Sequence, residues 1–125
     1  IVDRSYHRVT KRRGQIASLN VPQLHALRWD VKQMRYGTDF FGAIYGAKKV
    51  KKFRSKLTDM QEILGQLQDA AVAEARLIAL SPQLSKNGMV AVGLVSGWFG
   101  ARADHKLLGL EEAAAIFADQ KTFWK

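Results

Sequence analysis

Six residues of one segment carry the chemistry that stands out in this chain: His25, Arg28, Lys32, Arg35, Tyr36 and Asp39. At about 100° of rotation per residue they fall on a single helical stripe, while Leu24, Leu27, Val31 and Met34 fall on another. Three cations and an imidazole along one stripe repel one another, so the arrangement is favourable chiefly when anions lie between them. Arginine forks grip phosphate oxygens bidentately, lysine adds a point charge on a flexible stem, and His or Tyr donates a further hydrogen bond. The stripe therefore suits phosphate. The competing account is a solvated charged face on which Asp39 locally balances Arg35 and His25 is structural.

A helix must present this stripe, and its start is well marked. In Leu19-Asn20-Val21-Pro22, Asn20 can accept hydrogen bonds from free helix amides and Pro22 fits a first turn, which predicts a helix running to about Tyr45, with Gly42 and Gly46 at its end. Before it, residues from about Asp3 to about Ser18 read as a first helix with Arg4, Arg8, Lys11 and Arg12 on one face. After it, Ala47 to Leu80 reads as a long third helix with an apolar face of Leu57, Met60, Ile63, Leu64, Leu67, Ala71, Val72 and Ala75. Ser81-Pro82 closes this helix, because proline lacks the amide to continue it. Asn87-Gly88 reads as a turn. Met89 to about Phe117 reads as a fourth helix, continuous or broken between Asp104 and Leu110, using Val92, Val95, Phe99, Leu107, Leu110, Ala114 and Phe117 for packing. Gly93, Ser96, Gly97 and Gly100 would let another helix approach closely. Phe123-Trp124 should dock on the bundle. With no strand alternation, the expected fold is all-α, an antiparallel four-helix bundle spanning residues 1–125 as one module.

Composition narrows the function classes. Twenty Lys and Arg against eleven Asp and Glu give a net charge of +9, which selects negative partners: nucleic acid, a membrane surface or a phosphate polymer. The absence of cysteine removes disulfide scaffolds, zinc-thiolate sites and thiol nucleophiles. His7, His25 and His105 lack metal-ligand spacing, so no metal and no cofactor is expected. The carboxylates, among them Glu111-Glu112, Asp59 with Glu62 and Asp69 with Glu74, read as helix-surface charges, so no catalytic residues are expected. The glycines from Gly88 to Gly100 lie in an apolar helix and form no nucleotide cradle, and the apolar run from Met89 is too short to cross a bilayer. Trp29, Trp98 and Trp124 are assigned to packing rather than to base stacking. No secretory or transit signal is visible, and the start at Ile1-Val2-Asp3 suggests a piece of a longer protein.

The run Leu24-His25-x-Leu27-Arg28-x-x-x-Lys32-x-x-Arg35-Tyr36-x-x-Asp39-Phe40 resembles the signature of the CHAD family, the conserved histidine α-helical domain. Leu57-x-x-Met60-Gln61-x-Ile63-Leu64-Gly65-x-Leu67-x-Asp69 is similar to the family's leucine-glycine-aspartate helix, and Gly97-Trp98 with Phe123-Trp124 resembles its last helix. The family usually has glutamate where Asp39 stands, which shortens that carboxylate's reach and keeps its charge. The resemblance implies a domain of two related four-helix halves that binds inorganic polyphosphate through basic residues lining a central groove or pore. This chain looks like the C-terminal half, so its expected partner is the missing N-terminal half or a second copy of itself.

Carried over, His25, Arg28, Lys32 and Arg35 are the expected contacts, with Tyr36 and Asp39 orienting and balancing them. Arg8, Lys11 and Arg12 are expected as secondary contacts. Lys49, Lys52 and Lys56 share a face that could extend an anion path, or could be a solvated helix start. The expectation is non-catalytic polyphosphate binding, in the cytoplasm and at polyphosphate granules. The alternatives are a general nucleic-acid-binding helical protein and an accessory module of a polyphosphate- or triphosphate-hydrolysing enzyme.

Overall fold

A computed structural model describes residues 2–124. The chain is all-α, with four α-helices among the described residues, α1 (Val2–Lys11), α2 (Val21–Phe41), α3 (Ala47–Leu80) and α4 (Lys86–Asp119), and short 3-10 turns at Ile16–Ser18, Gly42–Ile44 and Ser81–Gln83. No strand occurs among the described residues. Neighbouring helices run antiparallel. Along the α2/α3 seam the bonded pairs are Arg35 with Gln61 and Asp39 with Arg54, so one number rises as the other falls.

Local chemistry explains the boundaries. The Asn20 side chain accepts from the Gln23 amide while the Gln23 side chain accepts from the Asn20 amide, a reciprocal cap that starts α2 beside Pro22. The first helix is shorter than the sequence predicts. It stops at Lys11 because Gly14 takes a left-handed backbone with φ of 78°, and the chain turns into the Ile16–Ser18 coil. Asn87-Gly88 is not a turn but the first turn of α4, since Ser85 caps that helix by accepting from the Gly88 amide. From there α4 runs unbroken through residues 104–110.

The core is concentrated at one end. Val9, Ile16, Leu27, Val31, Met34, Phe53, Leu57, Met60, Leu64, Leu67, Leu110, Ala114, Phe117 and Phe123 are buried together. At 1.5 Å per residue, α3 and α4 are each about 50 Å long against about 30 Å for α2, so their distal halves project beyond α1 and α2. The last buried residue of α3 is Leu67 and the first of α4 is Leu110. Val72, which sequence places on the apolar face, and Val95 are accordingly exposed. Phe123 and Trp124 do dock: Phe123 stacks edge-on against Phe53, and Trp124 against Tyr6. Trp29 and Trp98, expected in packing, are instead 57% and 54% exposed.

Candidate functional site

Helix α2 buries Leu27, Asp30, Val31, Met34 and Thr38 on one side, and its basic stripe flanks that side, with Arg35 at the seam with α3. His25 and Tyr36 are exposed, and Arg28, Lys32 and Arg35 are half-buried. Arg28 Nε lies out of solvent with no hydrogen-bond partner. The Lys32 ammonium sits 5.7 Å from the centre of the Tyr36 ring, a contact that orients the lysine without neutralising it. Arg35 Nη1 donates to Gln61 Oε1 of α3 at 2.8 Å. Its expected counter-ion does not reach it: Asp39 pairs with Arg54 Nε at 3.0 Å across the seam. Arg28, Lys32 and Arg35 have no carboxylate partner among the described residues, so their charge remains available to a ligand. The stripe ends in a groove whose lining includes Asp39, Lys51 and Arg54.

The basic residues of α1 do not join this stripe. Arg8 holds Asp30 through Nε at 2.8 Å and Nη2 at 2.7 Å, and donates to Ser5 Oγ at 3.2 Å. Arg12 Nη1 lies 3.9 Å from Asp30 Oδ2 and makes no hydrogen bond. On the α2 wheel Asp30 stands roughly 140–160° away from Arg28, Lys32 and Arg35, so Arg8 and Arg12 are drawn to the other flank of the helix. Arg8 is thus chiefly an anchor for α1 on α2, and Lys11 is exposed. Sequence reasoning missed Asp30 because a single acid on the apolar side of a helix has no partner visible in its own segment.

Lys49 and Lys52 are separated from the stripe as well. They line a cleft with Asp119, Gln120, Lys121 and Thr122, whereas the α3 residues that meet α2 are Arg54 and Gln61. Lys52 is turned by about 160–180° from both of those residues. The ten expected binding residues therefore divide into a coherent α2 stripe of His25, Arg28, Lys32, Arg35 and Tyr36, an α1 group engaged with or beside Asp30, and a lysine pair on the far side of α3. Gln61 and Arg54 are additions at the stripe. No cluster of three or more His, Cys, Asp or Glu able to hold a metal is found among the described residues, and no described helix is long and apolar enough to cross a membrane.

The model of the CHAD domain matches residues 1–78. The chain belongs to the CHAD domain family. The matched span holds the whole α2 stripe, Asp30 and the α3 residues Arg54 and Gln61, so the features just described belong to the CHAD part of the chain. Helix α4, including Gly97-Trp98, and the Phe123-Trp124 ending lie outside it. No curated protein and no solved structure matches the chain.

Proposed function

We propose that this CHAD-family chain is a non-catalytic module that binds inorganic polyphosphate along the α2 stripe. The observation that carries the reading is that Arg28, Lys32 and Arg35 share one stripe with no carboxylate partner among the described residues, and Arg28 Nε is unbonded. A flexible polyanion gains from each such cation and releases counter-ions, so its affinity falls steeply with salt. Calorimetric titration of long-chain polyphosphate at two salt concentrations, with the parent and the Arg28→Ala/Lys32→Ala variant, tests this. Tight, salt-sensitive binding lost in the variant supports it; equal binding by the variant refutes it. The reading makes the chain an accessory part of whatever it is attached to, with no phosphate release of its own, and places it in the cytoplasm at polyphosphate granules.

A second reading has its own observation. Trp29, Tyr36 and Phe40 are exposed on α2 and lie within roughly 60° of Lys32 on the outer edge, except Phe40 at about 80°. Exposed aromatic rings beside cations are what single-stranded nucleic acid stacks on. Competition of labelled single-stranded DNA against polyphosphate separates the two: Trp29→Ala should weaken DNA binding and spare polyphosphate.

The partner expected from sequence has a candidate surface in the projecting arm. Ile78, Leu80, Met89, Val90, Leu94 and Trp98 are all more than half exposed there, and residues 87–101 carry no charged side chain. Two chains of net charge +9 repel wherever their basic faces meet, but not along this stretch. A second copy, arm against arm, is the partner this charge pattern favours, with another CHAD-type half-domain as the alternative.

A further inference from the structure

The cleft between the first turns of α3 and the segment after α4 lies away from the α2 stripe and differs from it in chemistry. Lys49, Lys52, Lys121, Gln120 and Thr122 line it together with one acid, Asp119. That acid is already engaged, accepting from Arg13 Nη1 at 2.8 Å. None of the three lysines has a carboxylate partner among the described residues. Gln120 Nε2 is shielded from solvent and has no hydrogen-bond partner, an unmet donor whose burial is costly until an acceptor arrives. Gly46 is the N-cap of α3, no side chain caps that helix, and its first turn holds no acid. The C-terminal end of α4 at Asp119 lies at the same cleft and offsets this helix end, so the three lysines carry the positive field.

We infer that this cleft is a second anion site, separate from the α2 stripe, that takes one compact phosphate anion of the size of pyrophosphate. Lys49, Lys52 and Lys121 supply charge from two sides, and the Gln120 amide and Thr122 hydroxyl supply directed donors. The cleft offers about 380 Å³ between these side chains, room suited to one compact anion. Gln120, Lys121 and Thr122 lie beyond the span that matches the CHAD domain, whereas Lys49 and Lys52 lie within it. The inference does not depend on the polyphosphate reading of α2.

The test uses the whole chain, nitrogen-15 labelled, in the Arg28→Ala/Lys32→Ala background that disables the stripe. Pyrophosphate is added at ionic strength matched with sodium chloride, and the Gln120 side-chain amide is followed by NMR. Saturable, one-to-one movement of that amide is expected, with affinity falling tenfold or more when Lys49→Gln/Lys52→Gln is added. An unmoved Gln120 amide, or affinity within twofold after the lysine changes, overturns the inference. Both lysines are exposed, so the variant should fold, and an unchanged far-UV spectrum verifies this. The stripe is judged separately by long-chain polyphosphate binding to the two double variants, so failure of one site is not mistaken for failure of the other.

Discussion

Replacing Asp30 with asparagine removes a buried carboxylate that Arg8 reaches with two nitrogens, and it tests whether the α1 cations are anchors or ligand contacts. Breaking a fully buried pair costs about 3–5 kcal/mol, but Arg8 keeps substantial contact with water, so about 2 kcal/mol is expected here, read from urea unfolding. If Arg8 serves as an anchor, Asp30→Asn lowers stability while leaving polyphosphate affinity within about twofold. Tyr6 gives a second test at this scale. Burial first, and the nearby Asp119 carboxylate second, raise its pKa above the ordinary 10.0, and its hydroxyl donates to the Ala118 carbonyl at 3.3 Å. A raised folded-state pKa means that this contribution to stability is present below the unfolded value of 10.0 and is lost as pH rises through the higher folded value. Stability should therefore decline on going above pH 10 in the parent and decline less in Tyr6→Phe, measured by denaturant unfolding across that range.

The caps and close approaches decide how each helix presents its face. Asn20→Ala removes the acceptor for the Gln23 amide and should cost about 1 kcal/mol, because one reciprocal cap starts the helix that carries the stripe. Gly14→Ala should cost about 1 kcal/mol by forcing a side chain into a left-handed turn, although nothing nearby would touch the added methyl. Gly37 plays a different part: a Cβ there would overlap the Val2 side chain, so this glycine lets α1 lie close on α2. Thermal unfolding of the three variants separates the causes. Loss of the cap or of the left-handed turn lowers the melting temperature in the parent background, whereas Gly37→Ala should be partly rescued by Val2→Ala, which clears the overlap. The start of α2, the extent of α3 and the end at Ser81-Pro82 were all legible in the residues, since caps and proline act within a few positions of themselves. The end of α1 and the start of α4 were not. Gly14 and Asn87-Gly88 are residues that suit several backbone states, and only the surrounding packing selects among them.

At the scale of the whole molecule, a packed end and a bare arm coexist. Size-exclusion chromatography with light scattering at tens of micromolar should give a mass above the monomer, and Val90→Lys/Leu94→Lys should return it to monomer with helix content unchanged. A monomeric parent would remove the second copy as the partner. Leu94 is 72% exposed and Val90 60%, so lysine at either position fits the isolated chain and would obstruct only an association. The sequence by itself determined the helical class, the order of four helices, the single stripe of His25, Arg28, Lys32, Arg35 and Tyr36, and the CHAD resemblance, because periodicity and caps are local and survive in one dimension. It offered Arg8, Lys11 and Arg12 as secondary contacts and left Lys49 and Lys52 open between an extended anion path and a solvated helix start, and their placement came from the tertiary structure. Asp30 draws the α1 arginines to one flank of α2, and the wheel of α3 turns Lys49 and Lys52 toward the end of α4. Which residues converge depends on how helices dock, and docking is set by contacts between positions far apart in the chain, such as Arg35 with Gln61 and Asp39 with Arg54, that no local pattern records.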